Sequence, residues 1–91
     1  MAIVLVFEGA GVTQAQYDQV LKEVSPDNKP PAGMLYHVAA PMAAGGFRVI
    51  EVWENQAAAD KFFQEKLAQA LPKANINVKP EVAQVHNIMK P

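Results

Sequence analysis

The segment Ala2–Phe7 is apolar at every position and rich in β-branched residues, and the turn formers Gly9 and Gly11 follow it. This composition is typical of a β-strand. Successive side chains of a strand point to opposite faces of the sheet, so this strand requires cover on both faces. A chain of only 91 residues has few elements with which to provide that cover.

A helix is predicted to follow the first strand. Thr13 and Gln16 have the spacing of a capping box, which marks a helix start. One apolar stripe at helical spacing follows, with polar residues on the rest of the surface. The stripe consists of Tyr17, Val20, Leu21 and Val24. We expect one side of this helix to pack against the sheet and the other to face solvent.

The rest of the chain predicts a hairpin, a second helix and a last strand. The hairpin strands are Gly33–Ala39 and Phe47–Trp53, and the seven-residue connection between them ends in glycine. Asn55 is a helix cap, and the helix is expected to run to about Leu71, with Pro72 limiting its end. Glu81–Ile88 is predicted to be the last strand.

The predicted order is therefore β-α-β-β-α-β, the ferredoxin-like α+β arrangement, in a single domain of residues 1–91. Its four-stranded antiparallel sheet carries both helices on one face. The hairpin strands are also apolar on both faces. Their apolar positions are Met34, Leu35, Tyr36, Val38, Ala39, Val49, Ile50, Val52 and Trp53. A second copy in a twofold homodimer is the simplest cover for the open face, and a monomer with an apolar surface is the alternative.

Composition excludes several classes of function. The chain has no cysteine, which excludes disulfides, a thiol nucleophile and a sulfur-ligated metal site. Its formal net charge of −1 argues against nucleic acid and anionic membranes as partners. No apolar run approaches the length of a membrane span, and no basic segment precedes the first strand as in a signal peptide. We therefore expect a soluble, cytoplasmic protein.

His37 is the strongest candidate catalytic residue. Imidazole exchanges protons near neutral pH, and a neighbouring Glu51 would orient it for removal of a proton from an acidic C–H or O–H group. If Ala40 pairs with Gly46, His37 lies opposite Val49 and shares one face with Glu51. The alternative is a histidine packed in the core and hydrogen-bonded there.

Six further residues are candidates for substrate binding. Trp53 could stack on a flat substrate or simply pack at the junction of strand and helix. Phe62, Phe63 and Leu67 would form the apolar wall of a pocket beneath the second helix. Tyr36 could donate a phenolic hydrogen bond, and His86 lies on the last predicted strand, where a structural or interfacial role is the alternative. The spacing of the histidines carries no metal-ligand signature, so no metal is expected.

The hairpin and second helix resemble a known family. Gly33–Val38, then Gly46–Glu54, then a helix with Phe62, Phe63 and Leu67 resemble the dimeric α+β barrel superfamily. That superfamily includes antibiotic biosynthesis monooxygenases, muconolactone-isomerase-like enzymes and small uncharacterised barrel proteins. The resemblance implies a barrel closed across a dimer, with a small-molecule pocket between the sheet and the helices of each subunit.

The resemblance also implies a function. We expect a homodimer with a small apolar pocket that acts, without a cofactor, as a monooxygenase- or isomerase-like enzyme on a small aromatic or carbonyl compound. His37 and Glu51 would be its catalytic pair. The alternative is a non-catalytic dimer with a ligand-binding or structural role.

Overall fold

A four-stranded antiparallel sheet with the strand order β2-β3-β1-β4 forms one layer of the protein. The computed structural model describes all 91 residues. The strands are β1 (Ile3–Gly9), β2 (Met34–Pro41), β3 (Phe47–Trp53) and β4 (Glu81–Gln84). Helix α1 (Gln14–Val24) connects β1 to β2, and a second helical segment connects β3 to β4. The predicted ferredoxin-like order is confirmed.

Helix α1 begins where the capping box predicts. The Thr13 hydroxyl accepts from the Gln16 backbone N–H at 3.2 Å, and the Gln16 side-chain oxygen accepts from the Thr13 N–H at 2.8 Å. The Gln16 amide nitrogen in turn donates to the Ala74 carbonyl at 3.0 Å. The Gln16 side chain therefore provides a hydrogen-bond partner both for a backbone N–H at the start of α1 and for a backbone carbonyl at the end of the second helical segment.

The second helical segment is longer and less regular than predicted. It comprises α2 (Gln56–Phe62), a π-helical turn (Phe63–Leu67) and α3 (Ala68–Lys73). Asn55 caps α2 through Ala58 N–H at 2.8 Å, as predicted. Pro72 lies within the last turn of α3 rather than limiting it. Proline has no backbone N–H, so Pro72 donates no hydrogen bond to the carbonyl four residues before it.

The end of α3 is fixed by backbone hydrogen bonds. Ile76 N–H donates to Leu71 and Asn75 N–H to Pro72, each at 3.0 Å. Asn75 has a φ of 59°, which is the left-handed conformation of the residue after a helix cap. This pattern is a Schellman motif with asparagine in the usual glycine position.

The hairpin register differs by two residues from the predicted one. Ala40 pairs with Arg48, and His37 pairs with Glu51. Strand β2 extends two residues beyond its predicted end, to Pro41, whereas β3 has its predicted bounds. Gly45 and Gly46, both at positive φ, close the turn between them, in which Met42 N–H donates to the Gly46 carbonyl. A shift of two residues keeps the β2 side chains from Tyr36 to Pro41 on their predicted faces, because the side-chain period of a strand is two.

The β2–β3 ladder contains one irregularity, between Met34 and Tyr36. Met34 pairs with Trp53 and Tyr36 with Val52, so Leu35 has no partner of its own. This is the arrangement of a β-bulge. It keeps Met34 and His37, three residues apart, on the same face of the sheet.

The buried residues form two separate clusters on the helical face of the sheet. The first contains Ile3, Leu5, Trp53 and Ala59, and the second contains Val20, Ala70 and Ala74. The first joins the sheet to α2, whereas the second joins α1 to α3. No helix is long and apolar enough to cross a membrane.

The other face of the sheet is open. Val38, Tyr36 and Ile50 are exposed on it, and their pairing partners show that they point away from the helices. Strand β4 is shorter than predicted, since it ends at Gln84 rather than Ile88. His86 therefore lies outside the sheet and is exposed.

Candidate active site

A cavity of about 390 Å³ lies between the helices and the sheet. Its wall is largely apolar, and polar side chains occur at only a few positions. The aromatic and aliphatic residues that define it are Phe7, Phe47, Phe62, Leu67 and Leu71. Tyr17, His37 and Glu51 also line it. A mostly apolar cavity of this size with a few convergent polar groups is typical of a small-molecule site.

Four side chains on this face form a continuous hydrogen-bonded chain. The Tyr17 hydroxyl lies 2.7 Å from His37 Nε2, and His37 Nδ1 lies 2.9 Å from Glu51 Oε2. The other carboxylate oxygen, Oε1, accepts from the Trp53 indole N–H at 3.1 Å. We call Tyr17, His37, Glu51 and Trp53 the relay.

The relay is assembled from three elements. His37 and Glu51 are directly opposed on β2 and β3, and Trp53 follows Glu51 on the same face two residues later. Tyr17 reaches them from the apolar stripe of α1, where its ring stacks on Phe47 at a centroid distance of 5.4 Å. The register of the hairpin and the docking of α1 therefore set the geometry together.

Burial increases along the relay from His37 towards Trp53. The side chain of His37 is 29% exposed and that of Glu51 is 6% exposed, while Trp53 is 1% exposed as a whole residue. Glu51 is the one buried charged residue, and both of its carboxylate oxygens have a donor. Such a carboxylate is stabilised by charge-assisted hydrogen bonds, which are stronger where water is excluded.

The hydrogen-bond partners determine which atoms of the relay carry protons when the His37 imidazole is uncharged. We call this state the neutral relay. Glu51, as an ionised carboxylate, only accepts, so His37 Nδ1 carries a proton and donates it to Oε2. Nε2 is then an acceptor and receives the Tyr17 hydroxyl proton. Burial, followed by the negative charges of Glu51 and Asp18, raises the pKa of Tyr17. Tyr17 thus remains a neutral phenol, and the imidazole is the basic group.

The structure brings together some of the predicted site residues and separates others. His37 and Glu51 line the cavity, as do Phe62 and Leu67. Tyr36 borders it as well, although its pairing with Val52 directs its side chain to the open face.

Trp53, Phe63 and His86 do not line the cavity. Trp53 is packed against Phe62, with ring centroids 5.5 Å apart, and donates to Glu51 instead of meeting a ligand. Phe63 begins the π-helical turn and is 44% exposed. His86 lies beyond the shortened β4. A binding role for these three in one subunit has no support from their positions.

Sequence reasoning did not select Tyr17 as a site residue, because helical periodicity assigned it to the packed stripe of α1. The one available signal is chemical. Tyr17 is the only residue of that stripe with a hydroxyl group, and a buried hydroxyl requires a hydrogen-bond partner. No three histidine, aspartate or glutamate side chains form a group that would hold a metal ion.

Comparison with known proteins identifies the fold. No family model and no curated protein matches the sequence. The solved structures that resemble it include the protein Rv0793 of Mycobacterium tuberculosis, with a TM-score of 0.72 and 11% identity over 99% of this chain and 100% of that one. An antibiotic biosynthesis monooxygenase has a TM-score of 0.62 and 20% identity over 98% and 100% of the two chains.

SnoaB, a cofactor-independent oxygenase from Streptomyces nogalater, also has this fold. Its TM-score is 0.67 at 10% identity, over 99% of this chain and 97% of that one. Likeness at this level of identity establishes the architecture. The protein has the ferredoxin-like fold of the antibiotic biosynthesis monooxygenase-like proteins, as its resemblance to the dimeric α+β barrel superfamily predicts.

Proposed function

We propose that the protein is a cofactor-independent acid/base enzyme that removes a proton from a small aromatic or carbonyl compound bound in the cavity. The observation that carries this proposal is the relay. It places a histidine, oriented by a buried carboxylate, on the wall of an apolar cavity. A positioned general base of this kind contributes about 10²–10⁴-fold to a proton transfer.

In the proposed reaction the proton travels through Tyr17. The bound compound gives its proton to the Tyr17 oxygen while the Tyr17 hydroxyl proton passes to His37 Nε2. The products are the substrate anion and a His37 imidazolium, whose charge Glu51 stabilises through its hydrogen bond to Nδ1. Because Tyr17 loses and gains a proton together, no tyrosinate is formed, which suits a phenol whose pKa burial has raised.

The anion has two possible fates that match chemistry associated with this fold. Reprotonation at another atom completes an isomerisation. Electron transfer to dioxygen begins an oxygenation, and SnoaB, which shares the fold, is a cofactor-independent oxygenase. Proton abstraction is the step common to both, and the groups that line this cavity are suited to it.

We further propose that two copies associate through the open face of the sheet. Val38, Tyr36 and Ile50 are 59%, 39% and 37% exposed there. A twofold dimer would cover this face with its equivalent in the partner. The catalytic cavity lies on the opposite, helical side, so each subunit would carry a complete relay.

Hydrogen exchange of 2-tetralone tests the acid/base function. This small aromatic ketone has acidic C–H groups next to its carbonyl, and their exchange for deuterium in D₂O is followed by NMR. We expect the protein to accelerate exchange, and His37→Gln or Glu51→Gln to lower the acceleration by about 10²-fold or more. His86→Gln is the matched control, because this second histidine lies outside the cavity.

The same experiment separates the enzyme from a ligand carrier. If 2-tetralone binds to the protein but exchanges no faster than with His37→Gln, the acid/base proposal is wrong. The cavity would then serve ligand binding alone.

A further inference from the structure

The hydrogen-bond polarity of the relay is set by the protonation state of His37. In the neutral relay, the only hydroxyl proton of Tyr17 is donated to His37 Nε2. The Tyr17 oxygen can then only accept a further hydrogen bond. Both ring nitrogens of His37 and both carboxylate oxygens of Glu51 already take part in hydrogen bonds within the relay. The neutral relay thus offers the cavity an acceptor and no donor.

Protonation of His37 reverses this polarity. Both ring nitrogens of an imidazolium are donors, so Nε2–H donates to the Tyr17 oxygen. The Tyr17 hydroxyl proton is released and can be donated to a ligand. Nδ1–H continues to donate to Glu51 in both states, so the rest of the relay is undisturbed. A single proton therefore converts the site from an acceptor into a donor.

The charged and titratable groups around the relay are few. Tyr17 and Asp18 come from α1, and Glu51 comes from β3. Lys29, in the loop before β2, and Tyr36, on β2, also line the cavity. The residues that β1 and the second helical segment contribute to the wall are Phe7, Gly9, Phe62, Leu67 and Leu71, none of which titrates. Histidine is the side-chain type among them whose charge ordinarily changes between about pH 5 and 8.

From this arrangement we infer that the cavity recognises a hydroxyl-bearing ring compound, a phenol or an enol, rather than the corresponding ketone, and that acidification reverses the preference. The inference rests on the proposed function and narrows its substrate class. An enol differs from its ketone by the position of one proton, and the neutral relay is complementary to the enol. An enzyme that binds the enol more tightly than the ketone favours enolisation.

Three ring compounds of similar size test this inference. In 2-naphthol, a stable analogue of the enol of 2-tetralone, the hydroxyl donates a hydrogen bond. In 2-methoxynaphthalene the same oxygen can only accept, and 2-tetralone carries a carbonyl. Their dissociation constants are measured by calorimetry at about pH 8 and about pH 5, on either side of the ordinary histidine titration.

At about pH 8 we expect 2-naphthol to bind at least about tenfold more tightly than 2-methoxynaphthalene, the effect of one hydrogen bond. Acidification should tighten the binding of 2-tetralone and reduce the advantage of 2-naphthol. Tyr17→Phe should reduce the difference between the naphthol and its ether, because the acceptor that then remains, His37 Nε2, lies behind the lost Tyr17 oxygen. Phenylalanine retains the ring that stacks on Phe47, so this variant is expected to fold.

His86→Gln is the control, because this exposed side chain lies outside the cavity. It should leave the difference unchanged. Equal affinity for 2-naphthol and 2-methoxynaphthalene, or a difference as large in Tyr17→Phe as in the wild type, would overturn the inference. Exchange of 2-tetralone without a hydroxyl preference would refute this inference alone, whereas a hydroxyl preference without exchange would refute the acid/base function alone.

Discussion

Tyr17 joins the apolar packing of α1 to the polar relay. Its ring stacks on Phe47, and its hydroxyl is bonded to His37. Periodicity in the sequence accounts for the ring but not for the hydroxyl, because a helical stripe specifies which face a residue occupies and not what it meets there. His37 and Glu51 were predictable as neighbours, since both belong to one hairpin and short-range pairing brings them together.

Because of Tyr17, the free energy of unfolding should depend on pH in the alkaline range. The pKa of Tyr17 is raised above the usual 10.0 in the folded protein. The unfolded chain therefore loses the Tyr17 proton first as the pH rises through about 10. Stability from this group is complete below that pH and is lost above it. Urea unfolding from about pH 9 to about pH 11 should show the free energy of unfolding falling faster for the wild type than for Tyr17→Phe.

Tyr36→Phe provides the comparison for that measurement, because it removes a phenol from the open face instead. If wild type and Tyr17→Phe lose stability in parallel across this range, Tyr17 is not held in its neutral form by the fold. The two unfolding curves would then differ by a constant amount at every pH.

At the scale of elements, the sequence predicts helix starts better than helix ends. Thr13 and Asn55 were identifiable as caps because capping uses side chains at fixed spacing. The π-helical turn at Phe63–Leu67 has no such signature, and it shifts the positions of all residues after it relative to a regular helix. Leu67 and Leu71 line the cavity, whereas Phe63, at which the turn begins, does not.

The strand register is also only partly predictable from the sequence. The bulge at Leu35 and the turn at Met42–Gly46 depend on backbone conformations at single residues. The alternation of apolar residues defines the face of each side chain but permits shifts of two. The sequence could therefore place His37 and Glu51 on one face, whereas their direct opposition required the structure.

Gln16→Glu should destabilise the protein, although glutamate is common at this position of a capping box. Glutamate retains an acceptor for the Thr13 N–H. It has no amide to donate to the Ala74 carbonyl, and it places a negative charge beside the carbonyl end of α3, where the helix dipole is unfavourable to it. We expect a loss of about 1 kcal/mol in urea unfolding.

Gln14→Glu is the matched control for Gln16→Glu. It introduces the same charge into the first turn of α1 at an exposed position, where the dipole makes it neutral or slightly stabilising. Equal effects of the two substitutions would show that the Gln16 bond to Ala74 does not stabilise the junction of α1 and α3.

For the whole molecule, the sequence feature with the widest consequence is that the strands are apolar on both faces. In the structure the helices cover one face, and Val38 and Ile50 remain exposed on the other. Because the strands are apolar on both faces, the sequence predicts that the face opposite the helices is buried by a further contact. It does not specify the area or geometry of the contact, which depends on the twist of both sheets.

Val38→Lys should convert the proposed dimer into a monomer. A charge at the centre of an apolar contact between sheets has no partner there, and its burial is unfavourable. Light scattering after size exclusion should give about twice 9.9 kDa for the wild type and about 9.9 kDa for the variant. Val38 is 59% exposed, so the fold of the single chain should tolerate the change.

Ala57→Lys adds the same charge at an exposed position of α2 and should leave the mass unchanged. A wild-type mass of one chain would exclude the dimer at the concentration measured. A Val38→Lys variant that keeps the double mass would place the contact on another surface.

The cavity also separates the two buried clusters. Residues packed against the first, such as Phe62, and against the second, such as Leu67, form parts of the same wall. A bound apolar compound would join the clusters into one continuous core and would be held only by the folded chain. Occupancy and folding are therefore linked, and a ligand at about 100 times its dissociation constant adds about 2.7 kcal/mol to the free energy of unfolding. If the cavity binds the proposed ligand, the melting temperature of the protein should therefore rise with the concentration of that ligand.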